Sequence, residues 1–367
     1  ARAARQRAAS VQVSASRGEI LDTNDNVLAV SATVYNLILS PLDLVNSVDE
    51  KKFKNDDGTT DQAAYQGEID RRRSAVVDGL MELFPDMDRE TLTQRMEKTY
   101  SQYEVLRTKI ETEDAQKVRE LLTELKTSNY LYLTPDTKRY YPYGALASQA
   151  LGFTNANGGA YGLEAYYNDL LEGDPGWVLT ERTGRGIEMY SSYSDYIDAA
   201  NGFTLKLSLD ATIQSYAEKA LEEGIRAYDI QNGAFCIVLD PNNGEIKAIA
   251  SSPEFDPNDY SSVTDERLLA KAQAAVSGIY EQLKSNNTEG KTDAELQTQA
   301  ENQAMANAQF TMWSNKAINE AYEPGSTFKA MVLAAALEEG VVTLDSSFYC
   351  GGNIKVFGRN KPIDCWK

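Results

Sequence analysis

Ser326 is the only serine in the chain with a lysine three residues later, Lys329. Alone, that spacing also fits a serine at a helix start followed by a lysine reaching for solvent. The flanks add weight. Pro324-Gly325 breaks any preceding helix, and residues 327–338 form a strongly helical, largely apolar run (Phe328, Ala330, Met331, Val332, Leu333, Ala334, Ala335, Ala336, Leu337). The pattern predicts an all but buried helix starting at Ser326. A serine there faces unpaired backbone N–H groups and the positive end of the helix dipole, which suits a developing oxyanion. Positions i and i+3 share a face, so Lys329 can reach the Ser326 hydroxyl. To act as base, a lysine must fall from about 10.4 by roughly 3 pH units, which costs about 4 kcal/mol. Apolar surroundings and a second cation both push that way.

No histidine occurs anywhere in the 367 residues. A Ser-His-Asp or Cys-His apparatus within them is therefore excluded, and lysine is the natural base for this serine. The commonest metal ligand is missing too, and the three cysteines, Cys236, Cys350 and Cys365, form no Cys-x-x-Cys pair. No metal site and no cofactor are expected. Cys350 and Cys365 are close enough in sequence for a short-loop disulfide, suited to an oxidising compartment; two separate thiols are the other reading. The net charge of −19 argues against nucleic acid as a partner. No apolar run approaches the ~20 residues of a membrane span, and both ends read as cut.

The elements that must position this chemistry fall into two halves, with a pattern break at residues 198–202. Residues 1–16 read as a polar helical or juxtamembrane linker segment. Residues 17–40 alternate as strands around a turn at Thr23-Asn24-Asp25-Asn26, and Pro41 ends the run. Residues 43–128 read as a helical insertion, with Val76, Leu80, Leu83 and Phe84 at helical spacing, Asp88 as an N-cap, and Thr112 capping a third helix. Strands and turns return over 129–200. From 203 a strand, a helix capped by Asp210, and a hairpin at 233–252 with its turn at Pro241-Asn242-Asn243-Gly244 follow. Residues 260–315 read as an inserted helical pair, opened in its second half by the capping box Thr292-x-x-Glu295.

Ser-x-x-Lys is a signature of penicillin-binding proteins and class A β-lactamases. The wider run Glu323-Pro324-Gly325-Ser326-Thr327-Phe328-Lys329, with 315–322 before it, resembles the nucleophile segment of class B penicillin-binding proteins. Residues 17–29 resemble that family's first N-terminal motif, departing by Thr23 for arginine and Asp25 for glycine. Tyr141-Pro142-Tyr143-Gly144 with Ala147 and Gly152 resembles the second motif, and Gly159-Ala160-Tyr161-Gly162-Leu163-Glu164 with Tyr167, Leu170 and Gly173 the third. A β-lactamase would lack these.

The resemblance implies an α+β fold. An elongated, strand-rich pedestal or dimerisation domain (17–200, helical insertion about 43–128) would precede the N-terminal part of a transpeptidase domain (203–367, helical insertion about 260–315) with an antiparallel sheet flanked by helices. It implies a serine D,D-transpeptidase: Ser326 as nucleophile and β-lactam target, Lys329 as base, peptidoglycan stem peptides ending in D-Ala-D-Ala as substrate, and a glycan polymerase as partner. It also implies a membrane-anchored protein facing outward. Arg17, Gly18, Asp22, Gly162 and Glu164 would form the pedestal motif, with Arg17 and Glu164 either a buried pair or two solvated charges. The family's Ser-x-Asn and Lys-Thr-Gly motifs do not occur between Lys329 and Lys367, so these residues by themselves are expected to be inactive. A non-catalytic scaffold and a β-lactam sensor are the rival readings; the intact Ser326 and Lys329 disfavour the first, the pedestal motifs the second.

Overall fold

The structure is a computed structural model that describes residues 8–13, 15–182, 188–189, 196–287 and 290–365. It divides into two compact units, Ala1–Ile318 and Asn319–Lys367, so the compact unit runs past the pattern break near residue 200.

In the first unit the long strand β3 (Val27–Leu39) is the axis. It pairs antiparallel with β2 (Ile20–Leu21), β4 (Glu104–Ile110) and β5 (Leu131–Tyr140), the last in unbroken register from Val30↔Tyr140 to Leu39↔Leu131. β4 lies inside the stretch read as a helical insertion. It is short, with Val105, Thr108 and Ile110 as strand-forming residues, and pairing with β3 makes it a strand. The helices of that insertion, α1 (Gln62–Leu83), α2 (Arg89–Met96) and α3 (Thr112–Leu125), bury Val76, Leu80, Leu92, Met96, Val118 and Leu122 against Leu37 and Leu39. Asp88 caps α2 by accepting from the Thr91 N–H. Thr112 is the first helical residue of α3, with Glu111 at the cap position making no side-chain cap bond.

The N-terminal stretch also differs from its helical or linker reading: β1 (Ala8–Val13) pairs antiparallel with β6 (Gly176–Arg182), a long-range ladder that local sequence does not reveal. Next, β7 (Leu205–Lys206) runs parallel to β2. Helix α4 (Ala211–Ala227), capped by Asp210, packs Ala217 on Ala248 and Ala250 of the hairpin β8 (Phe235–Leu239) and β9 (Ile246–Ser251). Gly244 closes that hairpin at φ 78°.

The inserted pair α5 (Glu266–Ser285) and α6 (Asp293–Trp313) is held by an aromatic cluster. Phe153 stacks on Tyr260 with centroids 4.0 Å apart and touches Phe255, Tyr161 and Trp313. The Thr292–Glu295 capping box that opens α6 is formed on both sides.

In the second unit a 3₁₀ turn, Gly325–Thr327, leads into α7 (Phe328–Glu338), and a hairpin pairs β10 (Asn353–Ile354) with β11 (Ile363–Asp364). Deleting the Phe153 ring removes the centre of the aromatic cluster. Phe153→Ala is expected to destabilise the first unit by about 3–5 kcal/mol, read from the denaturant midpoint by tryptophan fluorescence.

Candidate active site and its supporting motifs

Ser326 occupies the 3₁₀ turn that feeds α7, with Gly325 at φ 55° before it. Thr327 fixes the turn by donating its hydroxyl to the Pro324 carbonyl at 2.6 Å. Lys329 follows three residues after Ser326, as the second residue of α7. Both are exposed. Lys329 lies along a shallow groove with Phe328, Val332, Leu333, Ala336 and Phe348 as apolar walls. The helix itself corrects the buried reading. No residue of α7 is buried, and Met331 is 67% exposed. Its sequence is apolar on every side, a pattern that needs cover all round. Among the described residues the unit around it offers turns and a two-stranded hairpin.

No disulfide joins Cys350 and Cys365, and both side chains are exposed. The hairpin explains this. The Cys365 N–H donates to the Gly352 carbonyl at 2.7 Å, which sets Cys365 across from Gly352, two residues past Cys350. A disulfide needs closely facing Cβ atoms. Among the described residues no group of three or more potential metal ligands occurs.

The pedestal motif residues come together in the first unit. Arg17 Nε lies 2.6 Å from Glu164 Oε2, and its Nη2 donates to the Glu164 carbonyl at 2.8 Å. The Glu164 side chain is 0% exposed and that of Arg17 10%. The sequence reading missed a second guanidinium: Arg139 Nε lies 2.7 Å from Glu164 Oε1 while its Nη1 donates to the Gly18 carbonyl at 2.7 Å. Arg139 sits in β5 opposite Ser31, and nothing in its local sequence sets it apart from Lys138 next to it. The two glycines permit the approach. A Cβ on Gly18 would stand 2.0 Å from the Phe203 carbonyl, and Gly162 sits at φ 58° with backbone at 2.6 Å.

Asp22 is fully buried and ties the turn after β2 to α4. Burial works against its charged form. Hydrogen bonds from the Asn26 side chain and the Ala211, Asn26 and Asn24 N–H groups outweigh it and hold the carboxyl below its usual range. Asp25, where the motif usually has glycine, adopts φ 67° and pairs with Lys206 at 2.6 Å. Asparagine and aspartate tolerate that conformation best among residues with a Cβ.

Two family models match this arrangement: the penicillin-binding protein dimerisation domain over residues 12–207 and the penicillin binding protein transpeptidase domain over residues 234–367. The chain belongs to the class B penicillin-binding proteins. It is 33% identical over 261 residues to stage V sporulation protein D of Bacillus subtilis strain 168, covering 71% of this chain and 32% of that protein. It is 28% identical over 219 residues to the peptidoglycan D,D-transpeptidase FtsI of Escherichia coli K12, covering 59% and 29%. The chain thus spans about a third of the length of these relatives. A solved complex between penicillin-binding protein PBP2 and MreC from Helicobacter pylori shares the fold at TM-score 0.61 and 21% identity, over 98% of this chain and 57% of that one. The family's mixed α+β organisation, a dimerisation domain and a transpeptidase domain with small, mainly antiparallel sheets, is the one described above.

Two predictions follow from the charges in this penicillin-binding protein. Glu164→Gln leaves the buried Arg139 and the part-buried Arg17 guanidinium groups facing an uncharged amide and is expected to cost about 3–5 kcal/mol in denaturant unfolding. Glu254, at the end of the β8–β9 hairpin, is pushed up to about 7 by burial and by Glu218 and Glu222. Against an ordinary value of 4.5 the folded state binds more protons over that interval, so its contribution to stability is fully present below 4.5 and is lost as pH rises through 7. Denaturant midpoints of wild type and Glu254→Gln, measured from about pH 5 to 8, are expected to separate as the wild type weakens.

Proposed function

We propose that this protein is a peptidoglycan D,D-transpeptidase that cross-links stem peptides through an acyl-enzyme on Ser326. The observation that carries this reading is the run from Glu323 to Lys329 inside the segment matched by the transpeptidase model, with Ser326 at an accessible turn and Lys329 three residues on, at the start of α7. Lys329 takes the Ser326 proton as the oxygen attacks the carbonyl of the penultimate D-alanine. The peptide C–N bond breaks, and the terminal D-alanine leaves with a proton on its amine. An amine from a neighbouring stem peptide then attacks the ester carbonyl, forms the cross-link and returns the serine oxygen, reprotonated, to its starting state. A β-lactam carbonyl reacts with the same oxygen and stays attached. We further propose a place at the outer face of the cell membrane and a glycan polymerase as partner. The partner is supported by a 25%-identical neighbour from a peptidoglycan synthase complex (TM-score 0.55), and the location rests on membership of the family. Among the described residues no helix is long and apolar enough to cross a membrane.

The full-length protein should label covalently with a fluorescent penicillin. Ser326→Ala is expected to abolish the band, and Lys329→Ala to slow acylation by about 10²–10⁴-fold with the melting temperature unchanged. A wild type that takes no label, or a Ser326→Ala variant that keeps it, would end this reading.

A further inference from the structure

The turn that carries Ser326 spans residues 324–327 and is exposed throughout, as are Glu323 before it and Phe328 after it. Two donors from one residue close it. The Pro324 carbonyl accepts the Thr327 N–H at 3.3 Å and the Thr327 hydroxyl at 2.6 Å. The Phe328 N–H then donates to the Gly325 carbonyl, which joins the turn to α7.

Directly before Ser326 the backbone changes hand. Pro324 is right-handed at φ −71°, a value its ring enforces. Gly325 is left-handed at φ 55°. Thr327 and Phe328 are right-handed again, at φ −65° and −64°. A Cβ on Gly325 would meet nothing within 4 Å. Space therefore does not call for glycine here. The backbone conformation does, because a left-handed residue with a Cβ crowds the following carbonyl oxygen.

We propose that Gly325 and Thr327 are positioning residues for acylation: the left-handed glycine and the hydroxyl clamp set Ser326 in its attacking position before a ligand arrives. Their role rests on the transpeptidase reading above and identifies which neighbours of Ser326 set its rate. A nucleophile held in advance reacts without first searching for its geometry, and a misplacement of about 1 Å can slow a reaction about 10²-fold. A turn free to wander reacts only in the fraction of molecules that present Ser326 correctly.

The test is the rate of fluorescent-penicillin labelling of the full-length protein as a function of penicillin concentration. That dependence separates the Kd of the first complex from the rate constant of acylation. Gly325→Ala is expected to slow acylation by about tenfold, with Kd and the melting temperature unchanged. Gly325→Asn is larger than alanine but better suited to left-handed backbone, and is expected to recover most of the rate. Crowding, or a general loss of packing, would give the opposite order. Thr327→Val keeps the shape, loses the hydroxyl, and is expected to slow acylation by about fivefold. Thr327→Ser is expected to restore it. A Gly325→Ala or Thr327→Val variant as fast as wild type, or a Gly325→Asn variant no faster than Gly325→Ala, overturns the proposal. A wild type that takes no label fails the transpeptidase reading instead. A wild type that labels beside unaffected variants fails this inference alone.

Discussion

The first unit depends on one carboxylate that has no access to water. Glu164 meets a guanidinium on each side, Arg17 arriving from the N-terminal motif and Arg139 from β5, and the phenol of Tyr141 lies 3.3 Å from Oε1. Removing such a charge from water costs several kcal/mol, and only close, multiple donors can repay it. The interaction is therefore strict about geometry rather than generous in energy. It requires three segments far apart in sequence to arrive together, and it requires glycine at 18 and 162 because a side chain at either would push the backbones apart. Asp22 repeats the principle at the other end of the motif, gathering N–H groups from its own turn and from the start of α4.

These two buried acids link the pedestal motifs to the elements that follow. Asp22 accepts from Ala211, and the Asn258 side chain exchanges two hydrogen bonds with the Tyr141 backbone, each 3.0 Å long. The residues matched by the dimerisation model are thereby fastened to the start of α4 and to Asn258 by hydrogen bonds that each use a backbone group on one side.

Much of this was legible from residue types. The Asp88, Asp210 and Thr292 caps, the hairpin turn ending at Gly244, and the helical spacing of Val76 and Leu80 are local signals with local causes, and each lies where its chemistry directs. The Glu-Pro-Gly-Ser-Thr-Phe-Lys run gives the turn and the helix together. What stayed hidden has a non-local cause. β1 and β4 are strands because of partners 163 or more and about 70 positions away in the β1–β6 and β3–β4 ladders. Arg139 acquires its role only when β5 lines up beside β3. The uncovered state of α7 was also beyond reach, since an all-apolar pattern states what a helix needs and not what stands next to it.

The aromatic cluster has a corollary for chain length. Trp313, the last residue of the helical pair, donates its indole N–H to the carbonyl of Tyr260, just before the pair begins, at 2.8 Å. The two ends of the excursion therefore meet, while Arg267 and Lys271 of α5 also donate to the Ile230 and Gln231 carbonyls ahead of β8. Changing the length of the pair at its far end alters loop-closure entropy only logarithmically, whereas its near end is fixed by the core it forms with Phe153 and Phe255.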